Sequence, residues 1–214
     1  MPNLTALFIF LFVVILTAIG LYFFMKSTGA VNALKGSKEF YEPFLGHFKG
    51  NLVELGTIGG KYIFEGQYRG CKFSDYIGLP SKSTADSLAG VVLVTNEITL
   101  MLGRVSNQKL LVYTTSPGMV FSMARIRSSD QEFDGKCYVY SDNPSQGQLY
   151  LADMNRRTAL LRLVEDGWVD KVFSVISLGE KDIRISKFYD PTCSDPDFIK
   201  RSLDSLIVLA EGLK

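Results

Sequence analysis

The stretch KYIFEGQYRGCKFSDYI, Lys61 to Ile77, decides the fold. Apolar and polar side chains alternate over Lys61–Gln67 and again over Cys71–Ile77, the period-2 pattern of half-buried strands. The Arg69-Gly70 pair between them suits a hairpin turn. Two such strands joined tightly are antiparallel, and the chain on either side extends the pattern. Asn51–Ile58 reads as a shorter strand before them. Val91–Thr95 is β-branched, and Ile98–Leu102 continues as strand or short helix. Leu110–Thr115 and Met119–Ile126 are predicted to pair around Ser116-Pro117-Gly118. Cys137–Ser141 is a strand ended by Asp142-Asn143-Pro144, and Val172–Leu178 and Ile183–Phe188 flank a turn at Gly179–Asp182.

Two helices close this pattern. Asp153 suits an N-cap for a helix over Met154–Glu165 that ends before Gly167. Asp195 caps a last helix with Pro196 at its first position and acidic Asp197 in its first turn. Ile199, Leu203, Leu206, Ala210 and Leu213 follow at spacings of 4, 3, 4 and 3, one stripe for packing on a sheet. Strands in runs, without βαβ alternation, define an α+β class: a β-rich domain of antiparallel sheet with a long C-terminal helix packed on it. The chain is expected to divide into residues 1–30 and a domain over 31–214, with two β-rich halves conceivable about a division near 107–128. From Val31 to Phe48 the pattern is loosely helical and is weakened at Gly36 and Pro43.

The 23 Lys and Arg nearly balance the 22 Asp and Glu among 214 residues, which argues against nucleic acid as the main partner. Cys71, Cys137 and Cys193 are scattered and form no CxxC, so no zinc ribbon or thioredoxin-like motif is present. Free thiols fit a reducing compartment.

Leu4 to Phe24, LTALFIFLFVVILTAIGLYFF, carries no ionisable side chain apart from the phenol of Tyr22. As a helix it would span roughly 30 Å, the thickness of a bilayer core. It is expected to be a retained transmembrane helix rather than a cleaved signal, because no basic residue precedes it and the apolar run is too long. Small residues at Thr28-Gly29-Ala30 and Val31-Asn32-Ala33 are the sites where cleavage would fall. Lys26, Lys35 and Lys38 follow the span and place the domain on the cytoplasmic side, with Tyr22, Phe23 and Phe24 at the inner headgroup layer. The expected location is a single-pass protein of the cell membrane, with the lipid bilayer among its partners.

Four motifs invite chemistry. Asp130-Gln131-Glu132-Phe133-Asp134-Gly135 resembles the start of a calcium loop, but Ser141 stands at the twelfth position, where a bidentate Glu is needed. The structural reading is a turn at Asp134-Gly135, Phe133 in the core, and acids that are solvated or pair with Arg125 and Arg127. Gly56–Lys61 fails as a phosphate loop, because Leu55 replaces the first Gly and Tyr62 the Ser or Thr. His47 is the one histidine, and no GxSxG motif accompanies it, so a Ser-His-Asp or Cys-His site has no support. Arg156-Arg157, with Arg162 and Lys171, offers a basic patch for headgroups or an acidic partner, against the plainer reading of exposed helix charges. Trp168 reads as core. No catalytic, cofactor-binding or metal-binding residue is expected.

Gly66-x-Tyr68-x-Gly70, Asp130-x-Glu132-Phe133-Asp134, Leu151 before a short helix, and the closing Leu206–Leu213 together resemble a group of uncharacterised prokaryotic membrane-anchored proteins, a domain of unknown function. The resemblance implies a prokaryotic anchored domain and no activity. The function expected is a non-enzymatic binding or assembly module, with a protein partner or self-association. The alternatives are a carrier of lipid or a small apolar ligand, and a hydrolase or transferase using the acids near Asp130 and Asp134.

Overall fold

A computed structural model describes residues 4–27, 38–55, 62–78, 95–103, 108–116, 123–168 and 176–213. Two helices come first, α1 (Leu4–Ser27) and α2 (Lys38–Leu45). Strands β1 (Lys49–Glu54), β2 (Tyr62–Tyr68), β3 (Cys71–Gly78), β4 (Thr95–Met101), β5 (Leu110–Tyr113) and β6 (Ala124–Ile126) follow. Helix α3 (Gln131–Lys136), strand β7 (Tyr138–Ser141), and helices α4 (Pro144–Ala152) and α5 (Met154–Glu165) come next. The chain ends with β8 (Ile176–Leu178), β9 (Asp182–Phe188), a 3-10 turn (Pro191–Ser194) and α6 (Pro196–Glu211).

The nine strands make one antiparallel sheet in the order β1-β2-β3-β4-β9-β8-β5-β7-β6. The hairpin read at 61–77 forms, with Tyr68 opposite Cys71. Arg69 and Gly70 both take positive φ, 49° and 82°, as a two-residue turn matched to strand twist requires. Strands from both sides of 107–128 share this one sheet. The predicted pairing of Leu110–Thr115 with Met119–Ile126 is corrected, because β7 lies between β5 and β6 and is antiparallel to both. The three-residue β6 is left at the edge, where a short strand exposes the fewest unpaired backbone groups.

Register sorts the side chains into two faces. On one, Phe64, Asp75, Ile98 and Ile185 stand side by side across β2, β3, β4 and β9. Ile176, Val112, Val139 and Ile126 do the same across β8, β5, β7 and β6. These residues are buried, and Asp75 is the one polar member among them. The helices pack on this face. Ile199, Leu203, Leu206 and Leu209 of α6 are fully buried over it. Phe40, Tyr41 and Phe44 of α2 join Phe48, Phe64 and Phe73 in an aromatic cluster with ring centroids 5.0–6.3 Å apart. Gly66 faces the same cluster, and a Cβ there would lie 2.6 Å from the Phe64 ring and 2.8 Å from that of Phe73.

The sequence misses α4. Asn143 N-caps it through Gln146 N, and Pro144 sits in its first turn, so the Asp-Asn-Pro that ends β7 also begins a helix. Asp134-Gly135 is a helical segment of α3 and not a turn.

The transmembrane expectation for Leu4–Phe24 is corrected. Among the described residues, no helix is long and apolar enough to cross a membrane. Helix α1 forms, and its described side chains, at 10–20, 22 and 23, are exposed. The single-pass membrane location and the cytoplasmic placement of the domain rested on that span and are corrected with it.

Candidate functional site

The acids of 130–134 are structural. Asp130 N-caps α3, its Oδ1 accepting from the N–H groups of Glu132 and Phe133 at 3.1 Å each. Asp134 Oδ1 accepts from the Ser128 N–H at 2.9 Å and its hydroxyl at 3.1 Å. Phe133 is buried. The partner expected for these acids was Arg125 or Arg127, but the ion pair formed is Arg157 Nε to Asp130 Oδ2, 3.4 Å. Among the described residues, no group of three or more His, Cys, Asp and Glu could hold a metal ion. His47 is exposed, its Nδ1 2.8 Å from the Pro43 carbonyl. Gly56–Lys61 and Lys171 lie outside the described residues.

Arg156 and Arg157 do not form one patch. They line different clefts, and both hold the C-terminal carbonyls of α4, whose partial negative charge favours cations. Arg156 Nη1 donates to the Tyr150 carbonyl at 3.1 Å, its guanidinium 4.7 Å from the Tyr150 ring. Arg157 Nη1 donates to the carbonyls of Leu151 at 2.6 Å and Ala152 at 3.0 Å.

A cleft opens beside each arginine. One, of about 370 Å³, lies between α5 and α6 and includes Arg69, Arg156, Arg162, Asp204 and Glu211. Arg69 is tied to Asp204 at 3.1 Å, so its cations and acids largely neutralise one another. The other, of about 550 Å³, is lined by Arg127, Ser128, Ser129, Asp130, Gln148, Ala152 and Arg157. Both clefts are polar, and both lie by the helix layer.

Beneath the helices lies a buried polar group. Asn96 Nδ2 donates to Asp75 Oδ1 at 3.1 Å. Burial pushes the Asp75 carboxyl well above the usual carboxylate range, against the pull of that hydrogen bond. The Tyr41 hydroxyl donates to the Asp75 carbonyl and accepts from the Ile77 N–H, 3.2 Å each, joining α2 to β3. Lys187 Nζ pairs with Asp190 at 2.7 Å and reaches the Asp166 carbonyl at 3.3 Å. Trp168 is fully buried, its Nε1–H donating to the Ser202 hydroxyl at 2.7 Å. No described cleft reaches these groups.

The opposite face of the sheet differs. Among the described residues no helix packs on it. Asn51, Glu65, Ser74, Thr99, Arg184, Ser177, Leu111, Tyr140 and Arg125 form one row across all nine strands. At the β6 end it becomes aromatic. Tyr113 opposes Tyr138, and the Tyr113 and Tyr140 rings meet edge-on at 5.8 Å. The Arg125 guanidinium sits 4.2 Å from the Tyr138 ring centroid. The tyrosines are half-buried and Arg125 is exposed. Sequence reasoning singled out none of them as a site. The signal was there: Tyr138 and Tyr140 alternate with Val139 and Ser141, so the tyrosines point away from the core.

No family model matches the chain, and neither curated proteins nor solved structures give a match.

Proposed function

We propose that this chain is a non-enzymatic binding module that receives a protein partner on the sheet face that no described helix covers, anchored at Tyr113, Tyr138 and Tyr140. One observation carries the reading: the helices cover one face, while the other presents three tyrosines and an arginine together. Tyrosine and arginine are enriched at protein interfaces and among the side chains that dominate binding energy, because they join apolar area to fixed hydrogen-bonding groups. The packed layer of Ile199, Leu203, Leu206 and Leu209 counts against an apolar ligand held between sheet and helix. The hydrogen bonds that occupy Asp130 and Asp134 count against a hydrolase built on them.

Photo-crosslinking in cells tests this. A benzophenone side chain at Tyr113 or Tyr140 is expected to give a discrete protein adduct. The same group at Leu149, exposed on α4, is expected to give none. Adduct mass separates a second copy of the chain from another protein. Equal adducts at all three positions, or none at Tyr113 and Tyr140, would remove the sheet face as the site.

A further inference from the structure

We infer that the tyrosine patch takes an extended, acidic protein segment, with a carboxylate on Arg125 and an apolar side chain against Tyr113 and Tyr140. The inference rests on the reading of the sheet face as a protein-binding surface and adds the partner's chemistry.

Charge is the first argument. The outward residues of β5, β7 and β6 are Leu111, Tyr113, Tyr138, Tyr140 and Arg125, with no carboxylate among them. Arg125 makes no ion pair among the described residues. Arg184, on β9 with only β8 between it and this group, is already held by Asp182 at 3.0 Å. The patch is therefore a local cationic surface on a chain of net charge +1. Stacking over Tyr138 holds the guanidinium plane while leaving N–H groups at its edge for bidentate contact with a carboxylate.

Geometry is the second. Three adjacent strands span about 10 Å, the reach of three extended residues. An extended segment turns residues i and i+2 to one side, so an acid–x–apolar sequence places its carboxylate on Arg125 and its apolar side chain against Tyr113 and Tyr140. Single-stranded nucleic acid binds on aromatic faces that bases can stack against. Tyr113 and Tyr140 stand at 88° to each other, which leaves no parallel pair of ring faces there.

The test uses the full chain and a labelled ten-residue peptide, Ser-Glu-Ser-Leu-Ser-Glu-Ser-Leu-Ser-Glu, read by fluorescence anisotropy at low salt. The controls are the peptide with Lys for every Glu, and a ten-nucleotide oligothymidylate. The acidic peptide is expected to bind at least tenfold more tightly than either. Arg125→Glu is expected to weaken it at least tenfold, and Tyr113→Ala to weaken it as well. Both are exposed or half-exposed positions, and circular dichroism checks that the variants fold. If the charge-reversed chain binds the acidic peptide unchanged, or the lysine peptide binds as well, the acidic chemistry is wrong, while adducts at Tyr113 and Tyr140 still support the surface. Tighter binding of the oligonucleotide overturns the partner class. If no probe binds, the inferred ligand is wrong.

Discussion

Asn96 Nδ2 donates to Asp75 Oδ1 at 3.1 Å, diagonally across β3 and β4, and the two remaining polar atoms of the pair, Asp75 Oδ2 and Asn96 Oδ1, are buried with no hydrogen-bond partner. Both are acceptors when the carboxyl is ionised. A proton on Asp75 Oδ2 turns one of these two acceptors into a donor. Burial favours the protonated form for the same reason that it disfavours a lone charge in the apolar row of Phe64, Ile98 and Ile185.

Asp75→Asn is therefore expected to stabilise the fold at neutral pH, because the aspartate ionises in the unfolded chain and must take up a proton to fold, whereas the asparagine need not. The sign follows from linkage. Asp75 holds its proton in the fold to a higher pH than in the unfolded chain. Its contribution is fully present below the usual carboxylate range and is lost as pH rises toward its own raised value. Urea midpoints at pH 4.5 and 8 should show the gain growing with pH. A gain that is equal at both, or a loss at pH 8, would mean that Asp75 does not carry a proton in the fold.

Asp75 also marks where sequence reading stops. The hairpin at 61–77 and the caps Asp153 and Asp195 were legible because each rests on neighbours in sequence: alternation, a turn pair, a side chain reaching two residues on. The role of Asp75 depends on Asn96, 21 residues away, and on Ile98 beside it. The tyrosine face was hidden in the same way. Alternation tells which side chains of β7 point away from the core, but only the order β5-β7-β6 brings Tyr113, Tyr140 and Arg125 together. Arg156-Arg157 reads as exposed charge, whereas its task is to hold the end of the helix before it. That helix was the element the sequence missed.

The three thiols differ in access. Cys137 and Cys193 are buried, and burial pushes both thiols up to about 12, which suppresses the reactive thiolate. Cys71, at the start of β3, is partly exposed. A disulfide reagent at pH 8 is expected to modify one thiol per folded chain, lost in Cys71→Ser, and three in urea. Rapid modification of two or three in the folded chain would contradict the burial of Cys137 and Cys193.

Trp168 and Ser202 join the segment after α5 to α6. The Ser202 hydroxyl accepts from Trp168 Nε1–H at 2.7 Å and donates to the Phe198 carbonyl at 3.0 Å. Ser202→Ala leaves the indole N–H buried without that acceptor, a loss of about 1–3 kcal/mol. Trp168 is the single tryptophan, so its emission reports this site alone. The variant is expected to keep a blue-shifted native emission and to unfold at lower urea. An unchanged midpoint would show that another group takes over the N–H.

Lys187 secures the other side of the same tryptophan. Its side chain is 8 % exposed, and its ammonium lies 2.7 Å from Asp190 and 4.8 Å from the Phe198 ring centroid. Burial alone would raise the Asp190 carboxyl, but Lys187 and Thr192 outweigh it and hold it below the usual range. This contribution has the opposite sign to that of Asp75: it is present above the usual carboxylate range and lost as pH falls through the lowered value. Lys187→Met keeps the apolar stem and removes the charge. Because Asp190 is itself 43 % exposed, solvent screens the pair, and a loss of about 1–2 kcal/mol at pH 7 is expected rather than the larger cost of breaking a fully buried one. The loss should shrink in acid as Asp190 takes up its proton. Thermal unfolding of both chains at pH 3 and pH 7 measures it. A loss of the same size at both would assign the role of Lys187 to its bond with the Asp166 carbonyl and its stacking on Phe198, and not to Asp190.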